Sequence, residues 1–237
     1  MSKPTEPTIV LVVVAHPDDA EFICGGSVIN WVKAGATVHY LVCTDGGAGT
    51  HNEQLSSSEL VAARQAEQRA AADMLGVSSV EFLGHPDGQL TADTQLKEEI
   101  VAAIRRLRPD TVVTFDPTFY YSLDPAHINH TDHRQAGAAA FDAVYPLARG
   151  RLSFPEQLAQ GLEPHVVKQL LMHNPDKSNC FVDITSCADR KCDALIKHTS
   201  QYNNPDKVRQ MVNSFGQKTG KQAGCDLAEG FVKIDLD

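Results

Sequence analysis
The sequence predicts an α/β fold, a mostly parallel sheet with helices on both faces. Two observations carry this. Short apolar runs alternate with helix-length stretches in the order β-α-β-α-β-α-β. The first of these runs is continuous rather than alternating, as in a strand buried on both sides.

Thr8 to Val14 (TIVLVVV) is that first strand. A polar turn over residues 15–21 leads into a helix from Phe22 to Lys33, which Ala34-Gly35 stops. Val38 to Cys43 is a second buried strand, ending at Thr44-Asp45-Gly46-Gly47, and residues 48–57 are a polar loop. Ser58 to Leu75 has helical spacing, with Ser57 or Ser58 as its cap and Gly76 closing it. Val80 to Leu83 is a short strand, Leu96 to Leu107 a helix stopped before Pro109, and Thr111 to Phe115 a fourth strand. Beyond residue 116 the rhythm loosens: His130 to Tyr145 reads as helix, Val166 to Leu171 and Phe181 to Ile184 as strands, and Ser186 to Gln201 as helix. No linker or repeat divides the chain, so a single domain over 1–237 is expected.

Composition excludes several function classes. With 21 Lys and Arg against 30 Asp and Glu, the net charge is −9. The densest basic cluster, Arg105-Arg106-Leu107-Arg108, reads as a helix C-terminus, so no nucleic-acid surface is expected. The longest apolar run, Ile9 to Ala15, is far too short to cross a bilayer and lacks the flanks of a signal peptide. Six cysteines are scattered with no Cys-x-x-Cys pair, which points to reduced, buried thiols and a cytoplasmic location.

Reactive side chains collect just after the strands, where open parallel sheets bind ligands. His16, Asp18, Asp19 and Glu21 follow the first strand, Asp45 the second, and His85 and Asp87 the third. Asp116, Asp124, His127, His130, Asp132 and His133 follow the fourth. Any one of these alone reads as a solvated loop residue; their accumulation at one edge argues for a site.

His16 and Asp19, three residues apart on a turn stiffened by Pro17, can face one metal ion. Catalytic zinc takes three protein ligands and keeps a position for water, and two histidines with one carboxylate form such a set. Asp18 diverges from Asp19 and is better placed to take a proton from the attacking water, the task of a general base. The third ligand comes from the segment 127–133, where His127, His130 and His133 all qualify by spacing. His130 and His133 share a helix face, and Asp132 between them can orient an imidazole.

These motifs resemble the PIG-L/LmbE-like deacetylases. The resemblance rests on Ala-His-Pro-Asp-Asp-Ala-Glu (15–21), Thr-Asp-Gly-Gly (44–47), Ala63-Arg64-Gln65-Ala66-Glu67, Leu75-Gly76, Pro86-Asp87-Gly88, Arg106-Leu107-Arg108-Pro109-Asp110, Phe115-Asp116-Pro117 and His130-Thr131-Asp132-His133. Phe181-Val182-Asp183-Ile184, Lys191, Ala194, His198 and Ser200-Gln201 extend it. It implies a Rossmann-like three-layer sandwich and zinc-dependent removal of an N-acetyl group from an N-acetylglucosamine-type conjugate or related small amide, with Fe²⁺ or another divalent ion acceptable to the same ligands. By position, His16, Asp19 and His133 hold the metal and Asp18 is the base. A protonated His130, held by Asp132, stabilises the oxyanion or protonates the leaving amine. Arg64 reaches the sugar, and Asp87 joins it in binding substrate.

Three departures from the family pattern stand out. Thr131 replaces a proline and can cap the helix. Ile128 stands where some members carry a tyrosine, which leaves Tyr120 or Tyr121 as the tyrosines near the substrate. Glu21 follows an extra alanine and suits a structural role. The expected partner is a small N-acylated amino sugar, with a homo-oligomer allowed.

Three other readings compete. The same centre can cleave a larger thiol-sugar amide. A non-catalytic nucleotide-binding module needs Gly-x-Gly-x-x-Gly after the first strand, where this chain has an acidic turn. A serine hydrolase needs a Gly-x-Ser-x-Gly elbow, which the sequence lacks.

Overall fold
The structure, a computed structural model, describes residues 6–236 except His51 and Pro125. The ends of the expected domain range and His51 of the expected 48–57 loop therefore lie outside the described residues.

The four apolar runs form β1 (Ile9–Val14), β2 (Thr37–Thr44), β3 (Ser79–His85) and β4 (Thr111–Phe115). Between them run α1 (Asp19–Lys33), α2 (Ser57–Leu75) and α3 (Thr94–Leu107). Ser56, rather than Ser57 or Ser58, caps α2: its side chain accepts from Glu59 N while Glu59 reaches back, a capping box. α3 ends in the basic cluster as read, and its Arg105 is buried and donates to the carbonyls of Leu147, Gly150 and Ser153.

After β4 come a small hairpin, β5 (Tyr121–Leu123) with β6 (Ala126–Ile128), then α4 (Thr131–Asp142) and one π-turn over Ala143–Leu147. The helical reading of 130–145 breaks there because Pro146 has no N–H to continue an α-helix. α5 (Pro155–Ala159), β7 (Gln169–His173), β8 (Cys180–Asp183) and α6 (Ala188–Leu195) follow. The spacing assigns nothing past Gln201, yet α7 (Pro205–Ala223) and β9 (Ala228–Asp235) lie there. Helix signals for α7 are present: Asn204 caps it, Pro205 begins it and Gly224 ends it.

One seven-stranded sheet runs β3-β2-β1-β4-β7-β9-β8. β1, β2, β3, β4 and β7 are parallel, and β9 lies antiparallel between β7 and β8. The fold is thus the expected α/β layer architecture with a mostly parallel sheet. α1, α2, α6 and α7 pack together, as do α3 and α4. β1 is flanked by β2 on one side and β4 on the other, so the strand order reverses beside it and opens a crevice at the carboxyl ends of β1 and β4. α4 can press onto β4 because residue 137 is glycine: a Cβ there would lie 2.3 Å from the Phe115 carbonyl oxygen.

Candidate metal centre
The crevice between β1 and β4 gathers the histidines and aspartates that follow those strands. Asp18 begins α1 with φ 107°, a left-handed conformation unusual for a non-glycine residue, and its backbone N–H donates to Gln68 Oε1 at 2.9 Å. That strained turn presents His16 and Asp19 to the same point. Asp19 Oδ2 accepts from His16 N at 2.7 Å and lies 3.5 Å from His16 Nδ1. Asp19 Oδ1 lies 3.2 Å from His133 Nε2.

His133 arrives from the first turn of α4 and is fixed on two sides. Its Nδ1 pairs with Asn129 Oδ1 at 2.9 Å, and its ring stacks on Phe115 with centroids 4.2 Å apart and planes 3° from parallel. With Nδ1–H donated to the amide oxygen, the Nε2 lone pair faces Asp19. His16 is held in the opposite sense: its Nε2 faces Asp87 Oδ1 at 3.1 Å and Asp132 Oδ2 at 3.3 Å, which leaves Nδ1 towards Asp19.

The donor set fits a divalent ion. The ligand atoms of His16, Asp19 and His133 lie within 4.8 Å of one another. Donors about 2.0–2.1 Å from a tetrahedral zinc stand roughly 3.3 Å apart, close to the contacts to Asp19. Electrostatics agree. Burial opposes charge on His16, yet hydrogen bonds it donates to Asp132, Asp19 and Asp87 push its pKa up to about 12. Burial also raises Asp19, but His133 and His16 hold it well below the usual carboxylate range. Burial and the adjacent Asp19 push Asp18 up to about 6, with Arg64 pulling the other way. A cluster of carboxylates that drives a buried imidazole to keep its proton is one that attracts a cation.

His16, His130 and Asp132 form a second trio of donors. Its donors are engaged elsewhere. Asp132 accepts from Gly88 N at 2.7 Å and Leu90 N at 3.3 Å besides His16, and His130 Nδ1 accepts the Asp132 backbone N–H at 3.2 Å.

Those contacts correct two expectations. Asp132 was expected to hold His130; its carboxylate instead holds His16, because the β3–α3 turn brings Gly88 and Leu90 onto the same oxygens. A protonated His130 is expected from the sequence; partial burial and the charge of His16 instead lower its pKa, with Asp132 pulling the other way. His130 caps α4 through Nδ1, so the neutral ring carries its hydrogen on Nε2.

Other sequence-predicted residues are put to different uses. Arg64 is buried and donates to Pro17 O at 2.7 Å and Gly46 O at 3.0 Å, with Asp18 3.6 Å away, so it ties the β1 and β2 turns together while lining the chamber beside Asp18. Asp87 faces His16 and accepts from Ala48 N at 3.1 Å; chiefly the His16 hydrogen bond, against burial, lowers its pKa to about 2. Tyr120 and Tyr121 are not brought to the centre. They are exposed on the hairpin beside Arg134, whose guanidinium lies 4.6 Å from the Tyr120 ring. Glu21 is fully buried between Gln68 and His198, the structural role expected of it.

Two residues at the site escaped sequence reading. Tyr202 lines the same polar chamber as Asp18 and interacts with it. No periodic signal marks it, since it lies in a turn after α6. His173 ends β7, where burial and the charge of Lys191 lower its pKa to about 3. Its signal was the rule of strand ends, hidden because that strand reads as stopping at Leu171.

Comparison with known proteins gives a consistent picture. The sequence profile described as PIG-L: GlcNAc-PI de-N-acetylase matches residues 11–144. The chain is 32% identical over 225 residues, covering 93% of it and 81% of the relative, to the diacetylchitobiose deacetylase of Thermococcus kodakarensis. It is 36% identical over 163 residues, 58% of the chain and 56% of the relative, to a 1D-myo-inositol 2-acetamido-2-deoxy-alpha-D-glucopyranoside deacetylase of Rhodococcus jostii. Its structure superposes with a TM-score of 0.90 on the N,N'-diacetylchitobiose deacetylase of Pyrococcus horikoshii, at 28% identity, covering 97% of this chain and 85% of that one.

Proposed function
The chain belongs to the GlcNAc-PI de-N-acetylase (PIG-L) family, and from that premise we propose that it is a zinc-dependent hydrolase removing the N-acetyl group of an N-acetylglucosamine-type conjugate. Its relatives are named deacetylases, and the chain is an amide hydrolase. The observation that carries the reading is the convergence of His16, Asp19 and His133 beside Asp18 at the carboxyl end of β1.

His16 Nδ1, Asp19 and His133 Nε2 would hold the ion. A divalent ion supplies Lewis acidity to water and to the amide carbonyl when bound. Asp18 accepts the proton of the attacking water and passes it to the amide nitrogen; its raised pKa suits a base working near neutrality. His130 Nε2–H donates to the carbonyl oxygen as negative charge builds there, which a neutral imidazole can do. Asp87 and Asp132 position His16, and Arg64 positions Asp18. The sugar lies in the polar chamber with Gly49, Gln201 and Tyr202. The single sheet drawing strands from both halves supports one catalytic domain, and six unpaired cysteines support a reducing, cytoplasmic setting.

The test is acetate release from N-acetylglucosamine and N,N'-diacetylchitobiose by purified protein, stripped with a chelator and reloaded with zinc. Release is expected with the metal and none after stripping. A metal-loaded protein that frees no acetate from any N-acetylated sugar refutes the reading.

A further inference from the structure
The candidate metal centre stands in a wall between two chambers. Asp19, Phe22, His130 and His133 line both. On one side lies the open polar chamber with Asp18, Arg64, Gln201 and Tyr202. On the other is a cavity of about 440 Å³ walled by Ile23, Phe115, Phe119, Met211, Val212 and Phe215.

Besides the groups of the shared wall and the polar side chains of His127, Asn129, His173, Ser178 and Thr219, the cavity is bordered by one charged pair, closed on itself. Lys191 Nζ pairs with Glu229 Oε1 at 2.6 Å, and Glu229 also accepts from Gly26 N at 2.8 Å and Ser27 N at 2.7 Å. What remains for a ligand is mainly carbon surface. An acetyl group offers it a single methyl, whereas cavities of roughly 300–1,000 Å³ commonly enclose drug-sized ligands. Sugar hydroxyls find hydrogen-bonding partners in the polar chamber, so an amide at the centre turns its other substituent towards the cavity.

We propose that this cavity is an acyl-chain site, and that the preferred substrates are N-acyl amino sugars with a saturated chain of medium length rather than acetyl. The proposal rests on the amide-hydrolase reading above. The reaction balances as simple hydrolysis: the amide C–N bond breaks, a C–O bond to water forms, the acyl group leaves as a carboxylic acid, and water's proton goes to the departing amine. Each buried methylene is worth roughly fourfold in binding.

The experiment measures amine release by the zinc-loaded protein from a glucosamine series acylated from acetyl to decanoyl, beside octyl N-acetylglucosaminide. kcat/KM is expected to climb by about fourfold per methylene until the cavity fills. Met211→Trp is expected to lower the octanoyl-to-acetyl ratio by at least about tenfold, because the indole takes the tail's space. A flat or falling series overturns the proposal. So does a gain confined to the octyl glycoside, which would seat the aglycone there instead. If no member releases amine, acetyl included, the hydrolase reading fails, and calorimetry on chelator-treated protein decides the cavity separately. N-octanoylglucosamine binding at least about 100-fold tighter than N-acetylglucosamine supports the acyl site, and equal binding overturns it.

Discussion
β1 to β4 and β7 to β9 share one sheet, yet they furnish the site in opposite ways. The first group is parallel, and its post-strand turns carry closely packed polar groups: His16, Asp18 and Asp19 after β1, Asp87 after β3, and His130 and His133 at the start of α4. In the second group, β9 runs antiparallel between β7 and β8, and with α7 it walls a largely apolar cavity on whose border Lys191 and Glu229 are paired with each other. Parallel strands all end on the same side, so their turns converge and can assemble a reaction centre. An antiparallel insertion and a long covering helix supply shape instead. The proposed chemistry and the proposed chain-length selection fall on different halves and should be separable by mutation.

The largest effect is expected from the proposed ligands in the parallel half. Asp19→Ala and His133→Ala should lose bound metal and activity together, with metal content read by mass spectrometry and activity by acetate release. Full metal occupancy in His133→Ala would transfer the third ligand to His130 or His127. Asp18→Asn should keep the metal yet lower turnover by about 10² to 10⁴-fold, because the amide cannot accept a proton. A variant that also loses metal would make Asp18 a ligand.

The antiparallel half should answer in stability. Glu229→Ala leaves Lys191 buried and uncompensated, and removal of one partner of such a pair costs about 3–5 kcal/mol. Urea unfolding should show that loss, whereas replacing both partners with apolar residues should restore much of it. A small loss in Glu229→Ala would mean that water reaches Lys191 and that the floor of the cavity is wetter than its walls suggest.

The smallest effect concerns His130 on the shared wall. His130→Ala should lower turnover by about 10²-fold, the cost of one lost donor to the oxyanion. Because burial lowers the His130 pKa, the alkaline limb of the pH–rate profile is expected not to move. A shifted alkaline limb would restore the protonated role that the sequence alone suggests.

Much of this centre was legible from local pattern. The continuous apolar run of β1, the i,i+3 placement of His16 and Asp19 and the clustering of polar residues after strands are all short-range facts. β9 was not: with its Ala-Glu-Gly start it shows neither a continuous run nor clean alternation, and its place is fixed by pairing with strands 45 to 66 positions away.

By itself, then, the sequence determined the α/β alternation, the edge of the sheet where reactive side chains collect and the residue types of a candidate two-histidine, one-carboxylate centre, because periodicity and spacing are properties of neighbouring residues. Only the tertiary structure decided which carboxylate orients which imidazole. Asp132 lies beside His130 in the chain but bonds His16, 116 positions away, because the turn carrying Gly88 and Leu90 draws its oxygens to the far side. It also decided that Arg64 is a clasp between turns and that the centre is shared by a polar and an apolar chamber. Side-chain direction and enclosed volume arise only when distant segments pack, and no local spacing encodes them.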